Sequence, residues 1–318
     1  MPYLSGITIY PVKSLDGMSL LESTVVPCGA LLHDRRWRLV DAEGRVVNAK
    51  KFARIHTIRA RFEITNNDLN GAGKPSPAGG LITLWLGSKS GGPSSTTQPR
   101  ETFPLIPGSE GPCEWLSDAL GKHVFLEERL EGGFPDDLDA PGPTLISTET
   151  LNEVARWFGW GDEEVRRRFR MNLELTDDAH QVSSGGGSEP QVLQQPFWED
   201  SLACPVQKDS MSPVSEGEDS LDYLPVVEPK VFFIGEIVFR AVGVCRRCVV
   251  PSRDTQNGKQ TRLFRDAFEA RRFRGLRHDV DVREWQDYYR LGLNTSVLQS
   301  SPYDQIAIGQ QFKFKEPN

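Results

Sequence analysis

The stretch of sequence that says most about the fold is an apolar run, VFFIGEIVFRAVGV, from Val231 to Val244. Its aromatic and β-branched residues favour extended strands. Gly235 and Gly243 interrupt the run, and a glycine inside a strand pattern often marks a turn or a bulge. We therefore predict a strand pair or a bulged strand here, followed directly by the polar tetrapeptide Cys245-Arg246-Arg247-Cys248.

The first third of the chain has the same strand-like character in shorter pieces. Apolar or alternating runs such as Ile7–Tyr10, Trp37–Val40 and Ile58–Ile64 are separated by turn residues. This pattern is typical of short strands joined by tight connections. It predicts that much of the fold is β-structure.

Helical patterns are fewer. Ser147 or Thr148 is placed to cap a helix that continues through Trp157, and a second helix is predicted over Asp162–Arg168. We also predict a helix over Trp285–Arg290, close to the end of the chain. The predicted fold class is therefore α+β and dominated by β-structure.

A stretch rich in Gly, Pro and Asp, from Glu131 to Pro143, is typical of a domain linker. We therefore predict two domains, residues 1–130 and residues 140–318. Flexible insertions are predicted within residues 66–100 of the first domain and over about residues 178–228 of the second, where the chain is rich in Gly, Ser or acidic residues.

Charge is distributed unevenly along the chain. The formal net charge is −7, which argues against a nucleic-acid-binding protein. Residues Glu199–Glu228 contain eight acids and one lysine, whereas Arg240–Arg277 contains eleven Lys or Arg and three acids. Such an arginine cluster indicates an anionic ligand, phosphate above all, or else a solvated basic surface.

The five cysteines, an odd number in a long chain, argue against a disulfide framework and for a reducing compartment. The first ten residues resemble a strand more than a signal or transit peptide, and no apolar stretch is long enough to span a membrane. We therefore expect a cytoplasmic protein without a membrane span.

The pair of Cys245 and Cys248 allows three interpretations. A zinc site would need two further ligands, and the other cysteines and the five histidines form no spaced pair. A redox dithiol would begin a helix, but the flanking residues here are β-like. The third interpretation is a single reactive thiolate, favoured by the adjacent Arg246 and Arg247 and suited to a transition metal. Two packed strand cysteines remain the structural alternative.

Four other short segments are more polar than the apolar strands that they border. Each of them, taken alone, is more often structural, as a cap or a solvated residue, than functional. They are Pro11-Val12-Lys13-Ser14, His33-Asp34-Arg35-Arg36-Trp37, Ser147-Thr148 and Phe169-Arg170-Met171-Asn172.

Taken together and in order, these segments resemble the two-part family with an N-terminal MOSC β-barrel domain followed by a MOSC domain. Its members include the mitochondrial amidoxime-reducing component and related bacterial molybdoenzymes. Further matching pieces are Ile234-Gly235-Glu236-Ile237, the Cys245–Cys248 tetrapeptide and the polar turn Asp254–Gly258. The resemblance extends over nearly the whole chain.

The resemblance implies two barrel-like β domains with a few helices and a molybdenum cofactor, Mo-molybdopterin, in the cleft between them. It assigns Cys248 as the metal ligand and catalytic residue. The positions that match the family's cofactor-binding residues are Lys13, Ser14, Arg35, Ser147, Thr148, Arg170 and Asn172. A phosphate favours guanidinium groups and helix N-termini, and an amide can pair with a pterin edge.

One departure from the family concerns the substrate. Arg246 stands where the reducing component has a small hydroxyl residue beside the metal. A guanidinium there would change the affinity for anions or the access of a substrate to the metal.

The function that the resemblance implies is a molybdenum-dependent oxidoreductase that reduces small N-hydroxylated compounds such as amidoximes and hydroxylamines. No cysteine follows Cys248, so electrons are expected from an external donor, by resemblance a cytochrome b5-like protein served by an NADH-dependent reductase. The alternative is a non-catalytic carrier of molybdenum cofactor or sulfur. MOSC domains also end the enzymes that sulfurate this cofactor, but those carry a pyridoxal-phosphate domain for which this chain has no room.

Overall fold

The computed structural model describes residues 2–64, 80–87, 99–177, 194–203, 230–280, 282–283, 285–300 and 304–314. The two predicted insertions lie largely between these ranges, so the predictions made for them, and Cys204, fall outside the described residues.

The described residues form sixteen strands and four α-helices. The strands are β1 (Pro2–Ile9), β2 (Met18–Leu20), β3 (Glu22–Thr24), β4 (Trp37–Val40), β5 (Val46–Val47), β6 (Ile58–Glu63), β7 (Leu81–Leu86), β8 (Glu101–Pro104), β9 (Phe125–Glu128), β10 (Leu145–Ser147), β11 (Leu173–Asp177), β12 (Val231–Ile234), β13 (Ile237–Arg246), β14 (Arg290–Gln299), β15 (Gln305–Ala307) and β16 (Phe312–Phe314). The helices are α1 (Glu110–Leu120), α2 (Thr148–Phe158), α3 (Asp162–Phe169) and α4 (Phe264–Arg274). The predicted β-dominated α+β fold is confirmed.

The largest sheet has eight strands in the order β16-β12-β13-β14-β10-β11-β1-β2. Only the β10–β11 pair is parallel among these neighbours. The apolar run Val231–Val244 supplies β12 and most of β13, paired antiparallel through a turn at Gly235. The predicted strand pair is therefore confirmed.

This sheet joins the two ends of the chain. β1 pairs with β11, in a register that sets Leu4 opposite Leu175 and Ile7 opposite Leu173. All four of these side chains are buried in one apolar core, with residues from β12 to β16. The division into residues 1–130 and 140–318 stays a prediction, because the N-terminal strand is built into a sheet whose other strands come mainly from the second range.

A second core lies under two three-stranded sheets, β5-β4-β9 and β6-β7-β8, together with α1. It buries apolar side chains between Val12 and Val124, including Trp37, Leu39 and Ile82. A smaller pair, β15 with β3, connects the C-terminal region to the start of this unit. Residues from about 12 to 124 therefore have an apolar core of their own.

Helices α2, α3 and α4 enclose a third core around Phe169, Phe264 and Phe268. The Ser147 side chain accepts a hydrogen bond from Thr150 N and caps α2, so the predicted cap is confirmed. The second predicted helix is also present, as α3. None of the helices in the described ranges is long and apolar enough to cross a membrane.

The predicted helix over Trp285–Arg290 is wrong. These described residues form no helix, and strand β14 begins at Arg290. Contacts with distant parts of the chain explain the difference. The Tyr289 ring is buried edge-on against Phe268, and the backbone carbonyl of Tyr289 accepts a hydrogen bond from the Arg247 backbone N–H at 2.8 Å. Pairing with the end of β13 therefore outweighs the local helical pattern.

Candidate functional site

A pocket of about 300 Å³ opens where the turn after β1 meets the C-terminal ends of α3 and β13. Its volume is at the lower end of the range found for small-molecule sites. A groove of about 650 Å³ adjoins the pocket and shares Asp16, Arg167 and Arg170 with it, and another of about 620 Å³ lies elsewhere; no cysteine is among the described residues that line either groove. Among these three cavities, the pocket is therefore the one that is lined by the cysteines of the C-x-x-C pair.

Five of the sequence-predicted site residues line this pocket. They are Lys13, Ser14, Arg35, Arg170 and Cys248. They come from four separate segments of the chain, which the fold brings to one cavity.

The lining is strongly cationic. It contains nine lysine or arginine side chains and three aspartates. In a concave site with restricted solvent, such an excess favours an anionic ligand. Of the basic residues in the Arg240–Arg277 cluster, only Arg246 and Arg247 line this pocket, so the anion site inferred from that cluster stays a prediction.

Three of the lining residues have a backbone conformation that residues other than glycine rarely adopt. Ser14, Arg35 and Arg170 have φ values of 80°, 51° and 55°. Such residues persist only where the surrounding structure holds them, and they cluster at functional sites. Three of the six described non-glycine residues with positive φ therefore lie in this one pocket.

Lys13 and Arg35 share a carboxylate. Lys13 Nζ lies 3.1 Å from Asp136 Oδ1, and Arg35 Nε lies 3.6 Å from Asp136 Oδ2. Burial lowers the pKa of Lys13, although Asp136 opposes the shift. For Arg35, the carboxylates of Asp34 and Asp136 outweigh burial and hold its pKa above the ordinary value.

Arg170 ends α3 and lies over the Tyr10 ring, with its guanidinium carbon 4.1 Å from the ring centroid. Burial and the charge of Arg35 lower the pKa of Arg170. No described residue forms an ion pair or hydrogen bond with this guanidinium, so its donors can reach a ligand in the pocket. The ring beneath it holds the plane of the guanidinium in place.

The two cysteines of the C-x-x-C pair differ in exposure. Cys245 is buried on β13, its Sγ lies 2.6 Å from Asn294 Oδ1, and burial raises its pKa to about 11. Cys245 is therefore a neutral thiol at pH 7. Cys248 follows the strand and is partly exposed in the pocket. The structure thus presents Cys248 as the accessible sulfur.

The arginines between the cysteines point to different partners. The Arg246 guanidinium pairs with Asp287 at 2.7 Å and is 55% exposed. Arg247 donates to the Phe169 carbonyl and lies over the Phe169 ring. Its Nε is buried without a hydrogen-bond partner in the part of the chain that the structure describes. The charge of Arg246, the residue that departs from the family pattern, is therefore paired with Asp287.

Three predicted site residues lie outside this pocket. Ser147 is fully buried, where its hydroxyl contacts Thr150 and Glu199. Thr148 donates to Glu174 Oε1 at 2.9 Å and lines the 650 Å³ groove.

Asn172 also lines that groove and is only 2% exposed. Its Oδ1 accepts from Thr144 N at 3.1 Å and from Thr144 Oγ1 at 3.0 Å, and its Nδ2 donates to Thr8 O at 3.0 Å. The hydrogen-bonding groups of Asn172 are therefore occupied by the protein itself.

The pocket also contains residues that sequence reasoning missed. Lys50 Nζ lies 3.6 Å from Asp136, and Arg59 pairs with Asp16 at 3.1 Å. Burial lowers the pKa of His56 to about 4, so this imidazole is neutral at pH 7 among the surrounding cations. These residues had no local signal, because single polar residues near strands are common.

Metal binding by protein side chains alone has little support in the described ranges. No group of three or more His, Cys, Asp or Glu residues there is placed to hold a metal ion.

Known proteins match the chain in part. Residues 1–123 match the family model described as MOSC N-terminal beta barrel domain. A molybdenum cofactor sulfurase from Arabidopsis thaliana is 24% identical over 203 residues, which are 55% of this chain and 24% of that protein. Another from Oryza sativa subsp. japonica is 36% identical over 62 residues, 20% of this chain and 7% of that protein.

The chain thus spans a quarter or less of the length of these two relatives. The family match covers the turn after β1, the segment that holds Arg35, and the second apolar core. It agrees with the resemblance that the polar segments predicted. The comparisons thus link the chain, through residues 1–123, to the MOSC N-terminal beta barrel domain.

Proposed function

We propose that the protein binds a molybdenum cofactor in the pocket at Cys248 and acts as an oxidoreductase on small N-hydroxylated compounds. The observation that carries the proposal is the convergence of one accessible cysteine with Lys13, Arg35 and Arg170 in a single cavity. The family match and the names of the two relatives support the link to molybdenum cofactor.

The donor set fits the cofactor. A soft thiolate suits molybdenum, and guanidinium and ammonium groups suit the phosphate of a pterin cofactor. Cys248 would ligate the metal, while Lys13, Arg35 and Arg170 would hold the anionic end. When bound, the cofactor would supply two-electron redox chemistry.

The remaining residues of the pocket position and protect this group. Ser14 Oγ accepts from Ala49 N at 3.1 Å, which orients the hydroxyl while its own O–H can donate to a ligand. The Cys245 thiol donates to Asn294 Oδ1, so it would not compete with Cys248 as a ligand of the metal. We propose that electrons come from an external donor, a cytochrome b5-like protein with an NADH-dependent reductase.

The test compares Cys248→Ser with Cys245→Ser, both produced with the parent in a host that makes molybdenum cofactor. We expect about one molybdenum per chain in the parent and in Cys245→Ser, and loss of the metal in Cys248→Ser. Elemental analysis measures this, and circular dichroism shows whether each variant is folded. Absence of molybdenum from a folded parent would contradict the proposal.

Activity is measured separately, with an amidoxime as substrate and a reduced viologen as electron donor. Turnover by the loaded parent supports the reductase. The second candidate, a carrier of cofactor or sulfur, is favoured by the name of the relatives. Molybdenum binding without turnover of any N-hydroxylated compound, together with a persulfide on Cys248 in mass spectra, would establish the carrier instead.

A further inference from the structure

The linker between β9 and β10 brings a carboxylate into the cationic pocket. Asp136 lies 3.1 Å from Lys13 Nζ, 3.6 Å from Arg35 Nε and 3.6 Å from Lys50 Nζ. Lys13 Nζ also donates to the carbonyl of Phe134 at 3.0 Å. One aspartate therefore sits among three cations, two of which are predicted cofactor-binding residues.

The Asp136 carboxylate lies where the oxygens of a bound phosphate would meet the same cations. Carboxylates and phosphates accept hydrogen bonds from the same ammonium and guanidinium groups. Burial alone would raise the pKa of Asp136, but Arg35, Lys13 and Lys50 hold it well below the usual range. Asp136 is therefore charged at neutral pH and neutralises part of the group that would bind an anionic ligand.

The geometry also allows this carboxylate to leave. The Asp136 side chain is 49% exposed, so its oxygens can turn toward water without breaking the core. The next residue is held by the fold, because Asp137 Oδ2 accepts from Asn294 Nδ2 at 3.1 Å. A movement of Asp136 can thus be confined to its own side chain and the adjacent linker.

We propose that Asp136 is an internal competitor for the anionic group of the ligand. Its carboxylate occupies an oxyanion subsite formed by Lys13, Arg35 and Lys50, and a phosphate-type group displaces it on binding. The proposal rests on the proposed function for its natural ligand, but the subsite is defined by side chains alone. Lys50, which the family resemblance did not single out, becomes a binding residue.

Inorganic phosphate is the probe, titrated calorimetrically at low salt into full-length protein from a host that cannot make molybdenum cofactor. Asp136→Asn removes the competing charge, and we expect it to bind phosphate about 3- to 10-fold more tightly than the parent. Asp137→Asn is the matched control, with the same charge change one residue away in the same pocket. We expect its affinity to stay within about twofold of the parent.

A second change distinguishes competition at the subsite from a general gain in phosphate affinity caused by removing any nearby negative charge. Adding Lys50→Met to Asp136→Asn should remove the gain in affinity, because the subsite then loses a donor. An equal gain in Asp137→Asn, or no gain in Asp136→Asn, would overturn the proposal. If Asp136→Asn does not fold, Asp136→Ser is titrated in its place. Since no metal is involved, a parent without molybdenum would refute the proposed function and leave this test valid.

Discussion

Two groups of polar residues, both predicted as ligand contacts, have opposite surroundings. Arg170 and Cys248 line the pocket, and neither side chain forms an ion pair with a described residue. Ser147, at the end of β10, and Asn172, directly before β11, are almost fully buried, and their side-chain polar atoms are hydrogen-bonded within the protein. The difference teaches that a polar residue at a strand end is available to a ligand only if the fold leaves its hydrogen-bonding capacity unused.

The strongest challenge to this comparison is Asn172→Ala. The change leaves Thr144 N and Thr8 O without their side-chain partner in a partly buried region, and Thr144 Oγ1 loses its acceptor. We expect the free energy of unfolding to fall by about 3 kcal/mol, because unpaired buried polar groups are costly. Urea denaturation measures the loss.

Arg170→Gly is the counterpart on the pocket side. Its free energy of unfolding should change by less than about 1 kcal/mol, since glycine tolerates the φ of 55° at that position. Its affinity for inorganic phosphate should fall. A normally stable Asn172→Ala that has lost phosphate affinity would place Asn172 with the ligand-binding group and break the comparison.

A smaller effect is expected for Ser147→Ala. Ser147 Oγ caps α2 by accepting from Thr150 N at 3.2 Å and donates to the buried Glu199 Oε2 at 2.9 Å, so the variant should lose about 2 kcal/mol of unfolding free energy. Ser109→Ala is the matched control, because Ser109 occupies the same position before α1 and its side chain makes no cap hydrogen bond there. If Ser147→Ala and Ser109→Ala lose the same stability in thermal and urea unfolding, the hydrogen bonds of Ser147 do not stabilise the protein.

A pH dependence of stability is expected from Glu149, in the first turn of α2. Burial, with the charges of Glu199, Asp177 and Glu174, raises the pKa of Glu149 from 4.5 to about 7. Between these values the folded state binds more protons than the unfolded state, so stability falls as the pH rises from about 4.5 to 7. Glu149→Gln should lack this fall.

The measurement is urea unfolding at pH 5 and pH 8. The gain of Glu149→Gln over the parent should be larger at pH 8, where the parent carries the buried charge. Glu163→Gln, on the exposed surface of α3, should show no such difference. A gain that is larger at pH 5 would reverse the sign and contradict the assignment of the shift to Glu149.

Much of the local structure was predictable because its signals are local. A capping serine before an amphipathic run predicts α2, and an apolar run broken by Gly235 predicts the β12–β13 hairpin. Helix α4 was missed because its many charges obscured the buried face formed by Phe264, Phe268 and Arg272, which recur every four residues. The failed helix near Tyr289 shows the opposite case, in which long-range packing decides.

The sequence by itself determined the β-rich fold class, the family resemblance and the choice of the Cys245–Cys248 pair, because residue type and order carry those signals. Only the tertiary structure decided which cysteine is accessible, that Asp136 meets Lys13 and Lys50, and that Asn172 is already satisfied. The physical reason is that burial and pairing depend on contacts between segments distant in the sequence, such as Lys13 with Asp136 and Thr8 with Asn172, which residue type and order do not reveal.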